Sequence, residues 1–266
     1  HLSKIIIIYM TKNRILHSTI KGDGIPLLIL HGYFGMSDNW KSIGNRFSED
    51  YQVHLIDQRN HGRSFHENTF NYEVLVEDLY CYIQHHKLEK VYLIGHSMGG
   101  KTAMLFAVTY PDLVNKLIVV DISPRRYEPH HNAILAALNS IDFSVHNSRS
   151  LVDKKLAELV PELGVRQFLL KNVYWKEKGQ LAYRFNLAAL TENNPEIGAA
   201  LPPFTVFEKE TLFLKGDHSD YITDNDAPII APHFLNSKIV QIENAGHWLH
   251  AENPQQFYDE VCKFLN

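Results

Sequence analysis

Cysteine is scarce in this chain of 266 residues, which holds only Cys81 and Cys262. Two distant thiols build neither a disulfide framework nor a zinc-ligand spacing; they suit a reducing compartment, with both serving as small buried hydrophobes. Neither sign of charge is in large excess: 26 basic against 30 acidic residues leave a formal net charge of -4, with the signs interspersed. That balance gives no electrostatic case for nucleic acid or an anionic membrane surface. No stretch reaches the length of a membrane span. The run Ile5-Ile6-Ile7-Ile8 is too short for a signal-peptide core and has no small-residue cleavage pattern after it, so an edge or first strand is expected over 4–9. The chain opens on His1 rather than methionine, as a processed N-terminus would, and the cytoplasm is the expected compartment. Histidine is plentiful, at 16 residues, yet His85-His86 and His130-His131 are adjacent pairs without the i, i+4 spacing of helical metal ligands. Neither a metal nor a cofactor is expected.

What remains is the composition of an ordinary soluble globular protein, 45% hydrophobic and 21% charged, long enough for one large α/β domain or a core plus an insert. Nearly continuous apolar runs such as Pro26 to Leu30 and Val91 to Ile94 suit strands covered on both faces, as in a parallel sheet with crossover helices. Strands are predicted over 4–9, 14–21, 26–31, 51–57, 90–95, 116–121, 211–214 and 238–242. Helices are predicted near 38–49, 72–87 and 98–110, the last stopped by Tyr110-Pro111, with a final one from Pro254. Between them, residues 125–205 carry helical periodicity and no convincing strand, for example Leu151, Leu156, Leu159 and Val160. The expected organisation is an α/β core formed by 1–124 and 206–266, interrupted by a helical cap at 125–205.

One octapeptide, Gly95-His96-Ser97-Met98-Gly99-Gly100-Lys101-Thr102, spells two enzymes. From its middle it reads G-x-S-x-G, a serine nucleophile on a sharp strand-to-helix turn. End to end it reads G-x-x-x-x-G-K-[ST], a phosphate-cradling loop, with Asp121 at the end of an apolar strand as an apparent magnesium ligand. A phosphate loop wraps backbone N–H groups around its anion and favours small residues where this chain has a bulky Met98. The serine reading makes demands elsewhere, and they are met. Leu30-His31-Gly32-Tyr33 ends another strand, where a second oxyanion N–H is needed. Ala245-Gly246-His247-Trp248 lies after the last strand, where the histidine belongs. The phosphate-loop reading explains neither.

At this point the chain resembles the α/β-hydrolase superfamily over nearly its whole length. It is similar in particular to the YbfF-type carboxylesterases, through Asp57 to Ser64, Gly95 to Lys101, Val120-Asp121-Ile122-Ser123-Pro124, Arg166 to Lys171 and Ala245 to Ala251. The resemblance implies an α/β-hydrolase fold, a mostly parallel sheet flanked by helices with an inserted helical cap. It implies ester hydrolysis beneath that cap and leaves the acyl group open.

The expected roles follow. Ser97 is the nucleophile, and His247 takes its proton and later returns it to the leaving alcohol, a task suited to imidazole. His31, His61 and His96 are expected as structural hydrogen-bonding residues, and His250 as a supporting or solvent-facing group. The oxyanion hole is expected at the backbone N–H groups of Tyr33 and Met98. The acid is open. In many relatives it follows the strand at 211–215 in the pattern Gly-x-x-Asp, but that position is Ser219, flanked by Asp217 and Asp220 out of step. The Asp-Ile-Ser-Pro resemblance favours Asp121, with Asp217 as runner-up. Phe143, Phe168, Tyr174, Trp175 and Phe185 are expected to build the cap, with most of them internal to it. The expected substrate is a small to medium-chain carboxylic ester, or a thioester. Lactone or carbon–carbon bond hydrolysis and a low-turnover small-molecule receptor are the alternatives.

Overall fold

A computed structural model describes residues 14–266, so the expected strand over 4–9 lies outside the described residues. Seven strands form the main sheet: β1 (Ser18–Lys21), β2 (Pro26–Leu30), β3 (Gln52–Ile56), β4 (Val91–His96), β5 (Val114–Val120), β8 (Phe207–Gly216) and β9 (Phe234–Ile242). Their spatial order is β1-β3-β2-β4-β5-β8-β9, with β1 antiparallel to β3 and every other pair parallel. The order reverses direction beside β2 and β4, and ligands in open α/β sheets bind at the carboxyl ends of strands around such a switch.

The uninterrupted apolar runs are explained by two covered faces. Successive side chains of a strand point to opposite sides. Leu28 and Leu30 pack with Val76, Leu79, Met104 and Phe106 on the helices Tyr72–His85 and Met98–Thr109. Leu27 and Ile29 pack with Ile43, Phe47, Phe257 and Val261 on Lys41–Phe47 and Pro254–Leu265. Asn71 starts the helix Tyr72–His85 by accepting the Val74 N–H at 3.0 Å. Pro111 ends Met98–Thr109, because it cannot supply the next N–H. Among the described residues no helix is long and apolar enough to cross a membrane.

The segment between β5 and β8 leaves the sheet and returns to it. It contains the helices Asn132–Asn139, Arg149–Leu156, Leu163–Leu170 and Leu187–Glu192, and also a hairpin of β6 (Val173–Glu177) and β7 (Gln180–Tyr183). The hairpin corrects the expectation of a strand-free stretch. Val173-Tyr174-Trp175 is a short run of β-formers before Lys178-Gly179, and Gly179 takes the turn with φ 82°. Each strand is too short for its alternation to stand out from the helical periods on either side.

The two ends of this segment are sewn to each other and to the core. Leu201 donates its N–H to the Pro124 carbonyl and Tyr127 to the Gly198 carbonyl, both at 2.8 Å. Lys101, buried on the helix Met98–Thr109, donates its ammonium to the carbonyls of Arg125 and Ala199, one at each neck. Burial pulls this lysine down to about 7. Lys101→Met leaves two inward-facing carbonyls without a donor and lowers stability by about 1–3 kcal/mol. The pH dependence has a definite sign. Between about 7 and the ordinary lysine value of 10.5 the unfolded chain binds a proton that the folded chain does not, so stability rises with pH across that window. Melting curves of wild type and Lys101→Met at neutral and alkaline pH test this, since the variant loses that rise.

Candidate active site

β4 delivers Ser97 on a backbone that few residues adopt, with φ 53° and ψ -117° at the junction to the helix Met98–Thr109. Such strain persists only where neighbours enforce it. Here Ser97 donates its N–H to the Val120 carbonyl at 3.0 Å, and Lys101 closes the first helical turn onto the Ser97 carbonyl at 3.0 Å. The glycines on either side make the turn sterically possible. A Cβ on Gly95 would fall 2.2 Å from the Gly99 carbonyl oxygen, and one on Gly99 would fall 2.4 Å from that of Leu30. The hydroxyl is therefore presented above the ends of β2, β4 and β5.

His247 comes from the loop after β9. Its Nδ1–H donates to Asp121 Oδ2 at 2.7 Å. Asp121 ends β5 with φ 53° and is wholly buried; it also accepts the Gly216 N–H on Oδ1 at 3.2 Å and the Ser219 hydroxyl on Oδ2 at 2.5 Å. Three donors compensate a carboxylate taken out of water. Asp217 goes elsewhere. Its two oxygens accept the Ala245 and Asn244 N–H groups at 2.8 and 2.9 Å, and those bonds hold it below the usual carboxylate range. It thus braces the turn that leads into His247, while Asp220 is exposed.

Ser97 and His247 share the wall of a cavity of about 620 Å3. Met98 opens its helix, so its N–H has no carbonyl four residues back to bond. Tyr33 lies in the turn closed by the Gly35 N–H on the Gly32 carbonyl at 2.9 Å. That turn abuts the serine, since a Cβ on Gly32 would sit 3.2 Å from Ser97 Cβ. Lys101, which completes the phosphate-loop spelling, turns inward to the two neck carbonyls instead.

His31, His61 and His96 form a hydrogen-bonded scaffold around the site. His31 donates Nδ1–H to Gly32 and accepts the Gln58 N–H on Nε2 at 3.0 Å. His61 donates to the Arg59 carbonyl and accepts from Phe34. His96 donates Nε2–H to the His247 carbonyl at 2.8 Å. Burial lowers all three below the ordinary imidazole value. His250 stacks on Trp40 at 3.9 Å and is pulled down to about 3 by burial and by His247.

Sequence reasoning did not single out Tyr221. Its ring lies parallel to His247, with centroids 3.9 Å apart, and its hydroxyl meets His130 Nε2 at 2.5 Å, tying the histidine to the inserted segment. No motif announces such a residue, because the stacking depends on how the loop after β8 folds back. Of the five aromatics expected in the insert, Phe168 reaches the cavity, facing Trp248 at 5.2 Å. Phe185 and Phe143 pack against Phe34 and Tyr183, Tyr174 lies beneath the Arg184 guanidinium, and Trp175 is exposed. Among the described residues no group of three or more His, Cys, Asp or Glu side chains is arranged to hold a metal ion.

The family model described as "alpha/beta hydrolase fold" matches residues 25–254. A sn-1-specific diacylglycerol lipase, ABHD11 of Danio rerio, is 39% identical over 254 residues, covering 92% of this chain and 80% of that protein. A putative esterase/lipase of Haemophilus influenzae is 39% identical, covering 90% of this chain and 83% of its own length. Esterase YbfF of Escherichia coli is 31% identical, covering 91% and 93%. A solved marine microorganism esterase is 43% identical and superposes with a TM-score of 0.92, covering 95% of this chain and all of that one.

Proposed function

The chain belongs to the α/β-hydrolase fold family, and from that premise we propose that it cleaves carboxylic esters through an acyl-enzyme formed on Ser97, with His247 as base and Asp121 as acid. That it is an ester hydrolase follows from its relatives; the residue roles are the proposal. The observation that carries them is the 2.7 Å contact of His247 with Asp121 on the wall that Ser97 shares. His247 takes the Ser97 proton as the hydroxyl attacks the ester carbonyl. The N–H groups of Met98 and Tyr33 receive the oxyanion, and His247 returns the proton to the leaving alcohol. Water repeats the cycle on the acyl-enzyme. Asp121 holds the histidine in the tautomer with its proton on Nδ1 and offsets the imidazolium charge in each half-reaction.

Residues 125–205 act in this reading as a cap over a core of 1–124 and 206–266. The cavity, lined by Ile134, Val165, Phe168, Leu169 and Trp248, suits a small to medium acyl chain, of an oxygen ester or a thioester. A cytoplasmic esterase without a cofactor is the whole proposal. A series of p-nitrophenyl esters of increasing chain length tests it. Where deacylation is the slower step, one equivalent of nitrophenol is expected in a burst ahead of the steady state; full turnover by Ser97→Ala rejects the acyl-enzyme on Ser97. Phe168→Ala enlarges the cavity and is expected to move the preferred acyl chain upward by about two or more carbons, a loss of roughly 1–3 kcal/mol of discrimination. An unchanged chain-length profile would remove the cap from the acyl pocket.

A further inference from the structure

We propose that a narrow chamber behind Ser97 is the acceptor subsite of the enzyme, bringing water to the acyl-enzyme and admitting no alcohol larger than methanol. This rests on the acyl-enzyme proposed above for Ser97 and assigns the second substrate of that reaction its own place.

The chamber is distinct from the acyl cavity. It holds about 20 Å3 against about 620 Å3, and the two meet at Ser97, His130, His131 and Tyr221. Its other walls, among them Tyr72, Met98, Ile122, Tyr127, Asn194 and Ile197, take no part in the larger cavity. One end is the nucleophile; the other lies beside Glu128 and His130, which are exposed. An acyl chain seated against Ile134, Val165 and Phe168 occupies the larger cavity and closes that route to the ester carbon. The chamber leaves a second approach to it.

Its size is fixed by hydrogen bonds between its own walls. The Tyr72 hydroxyl donates to the Ile197 carbonyl at 2.7 Å, and the Tyr127 hydroxyl donates to the Tyr221 carbonyl at 2.5 Å. Gly198 lies so close to the facing neck that a Cβ there would fall 1.9 Å from the Tyr127 carbonyl oxygen. One water needs about 10–15 Å3 of such space, so the chamber takes one water and little more. Asn194 supplies a polar anchor. It is 5% exposed, its Nδ2 donates to Asn132 Oδ1 at 3.1 Å, and its own Oδ1 is buried with no hydrogen-bond partner among the described residues. A buried acceptor without a donor is costly, and an O–H in the chamber that Asn194 lines removes the cost.

In the second half-reaction the acceptor oxygen bonds to the acyl carbon while His247 takes the acceptor's proton. The bond from that carbon to Ser97 Oγ then breaks, and the proton passes to Oγ. Water yields the free acid, whereas an alcohol would yield a new ester by the same steps. The volume of the chamber decides between them.

The experiment measures how one acyl-enzyme divides between acceptors. The protein is given a p-nitrophenyl ester together with methanol, ethanol or 1-propanol, and the new alkyl ester is measured against the free acid. That ratio is set after the acyl-enzyme has formed, so the rate of acylation does not enter it. Wild type is expected to make the methyl ester and to lose about tenfold or more in the ratio with each added methylene. Ile197→Ala opens the chamber wall and is expected to raise the 1-propanol ratio by about tenfold or more, with Ile197→Val raising it less. Phe168→Ala, in the acyl cavity, leaves the series at its wild-type values. A 1-propanol ratio in folded Ile197→Ala equal to that of wild type overturns the proposal, as does a wild type that takes 1-propanol as readily as methanol. A Phe168→Ala protein that shifts the series as far as Ile197→Ala does so too. If Ile197→Ala does not melt cooperatively, Ile197→Val and the wild-type series decide. Formation of the same alkyl esters by Ser97→Ala would instead reject the acyl-enzyme on Ser97.

Discussion

Asp121→Asn lowers kcat by about four orders of magnitude while leaving the fold and KM nearly unchanged. The expectation comes from what the carboxylate does at its position. It is buried, it receives His247 Nδ1–H at 2.7 Å, and no solvent replaces its charge when the imidazole is protonated. An amide of the same shape either presents its NH2 to Nδ1, which forces the tautomer that cannot accept a proton from Ser97, or presents its oxygen without the charge. Losses near 10^4 accompany this exchange in serine proteases, where the geometry is otherwise kept. Asp217→Asn supplies the contrast. That side chain receives the Asn244 and Ala245 N–H groups, so the amide spoils one of two bonds in the turn before His247. A loss below tenfold in kcat is expected, with some loss of thermal stability. Equal damage from the two variants would mean that the acid had been assigned wrongly.

Ser97→Ala is expected to lose at least three orders of magnitude in kcat, to abolish the nitrophenol burst and to block labelling by a fluorophosphonate. The strained turn makes this variant informative, because alanine carries a Cβ through the same backbone that serine already tolerates at φ 53°. The cavity and the two N–H groups proposed to receive the oxyanion remain, so substrate binding is expected to survive, with the residual rate reporting what those groups and binding supply without the Ser97 hydroxyl. Additional removal of His247 or Asp121 should cost little more, since the three act on one proton transfer.

Most of the fold was legible because two covered faces leave a plain mark: a strand such as Leu27 to Leu30 is apolar at every position. The hairpin of β6 and β7 was not legible, since five and four residues between helices give a periodicity too few repeats to read. Within the site, Ser97 and His247 sit in motifs whose spacing follows from the strand ends they occupy. The acid left two candidates standing. Asp121 and Asp217 both follow strands of the sheet, and only the fold shows that one meets His247 while the other braces its loop. Ser219 was set aside in the sequence because it carries no charge; the structure places its hydroxyl on the carboxylate that does. Tyr221 could not be foreseen, because its contact is a matter of tertiary folding alone.

The most direct test of the central claim is the chemical identity of the burst intermediate. The protein is mixed with a p-nitrophenyl ester, quenched in acid within the burst and digested, and the peptides are weighed. The acyl group is expected on the peptide that contains Ser97, in an amount matching the burst, and absent from the Ser97→Ala protein. A full burst with the acyl group on any other residue, or with no acyl-peptide at all, would contradict it.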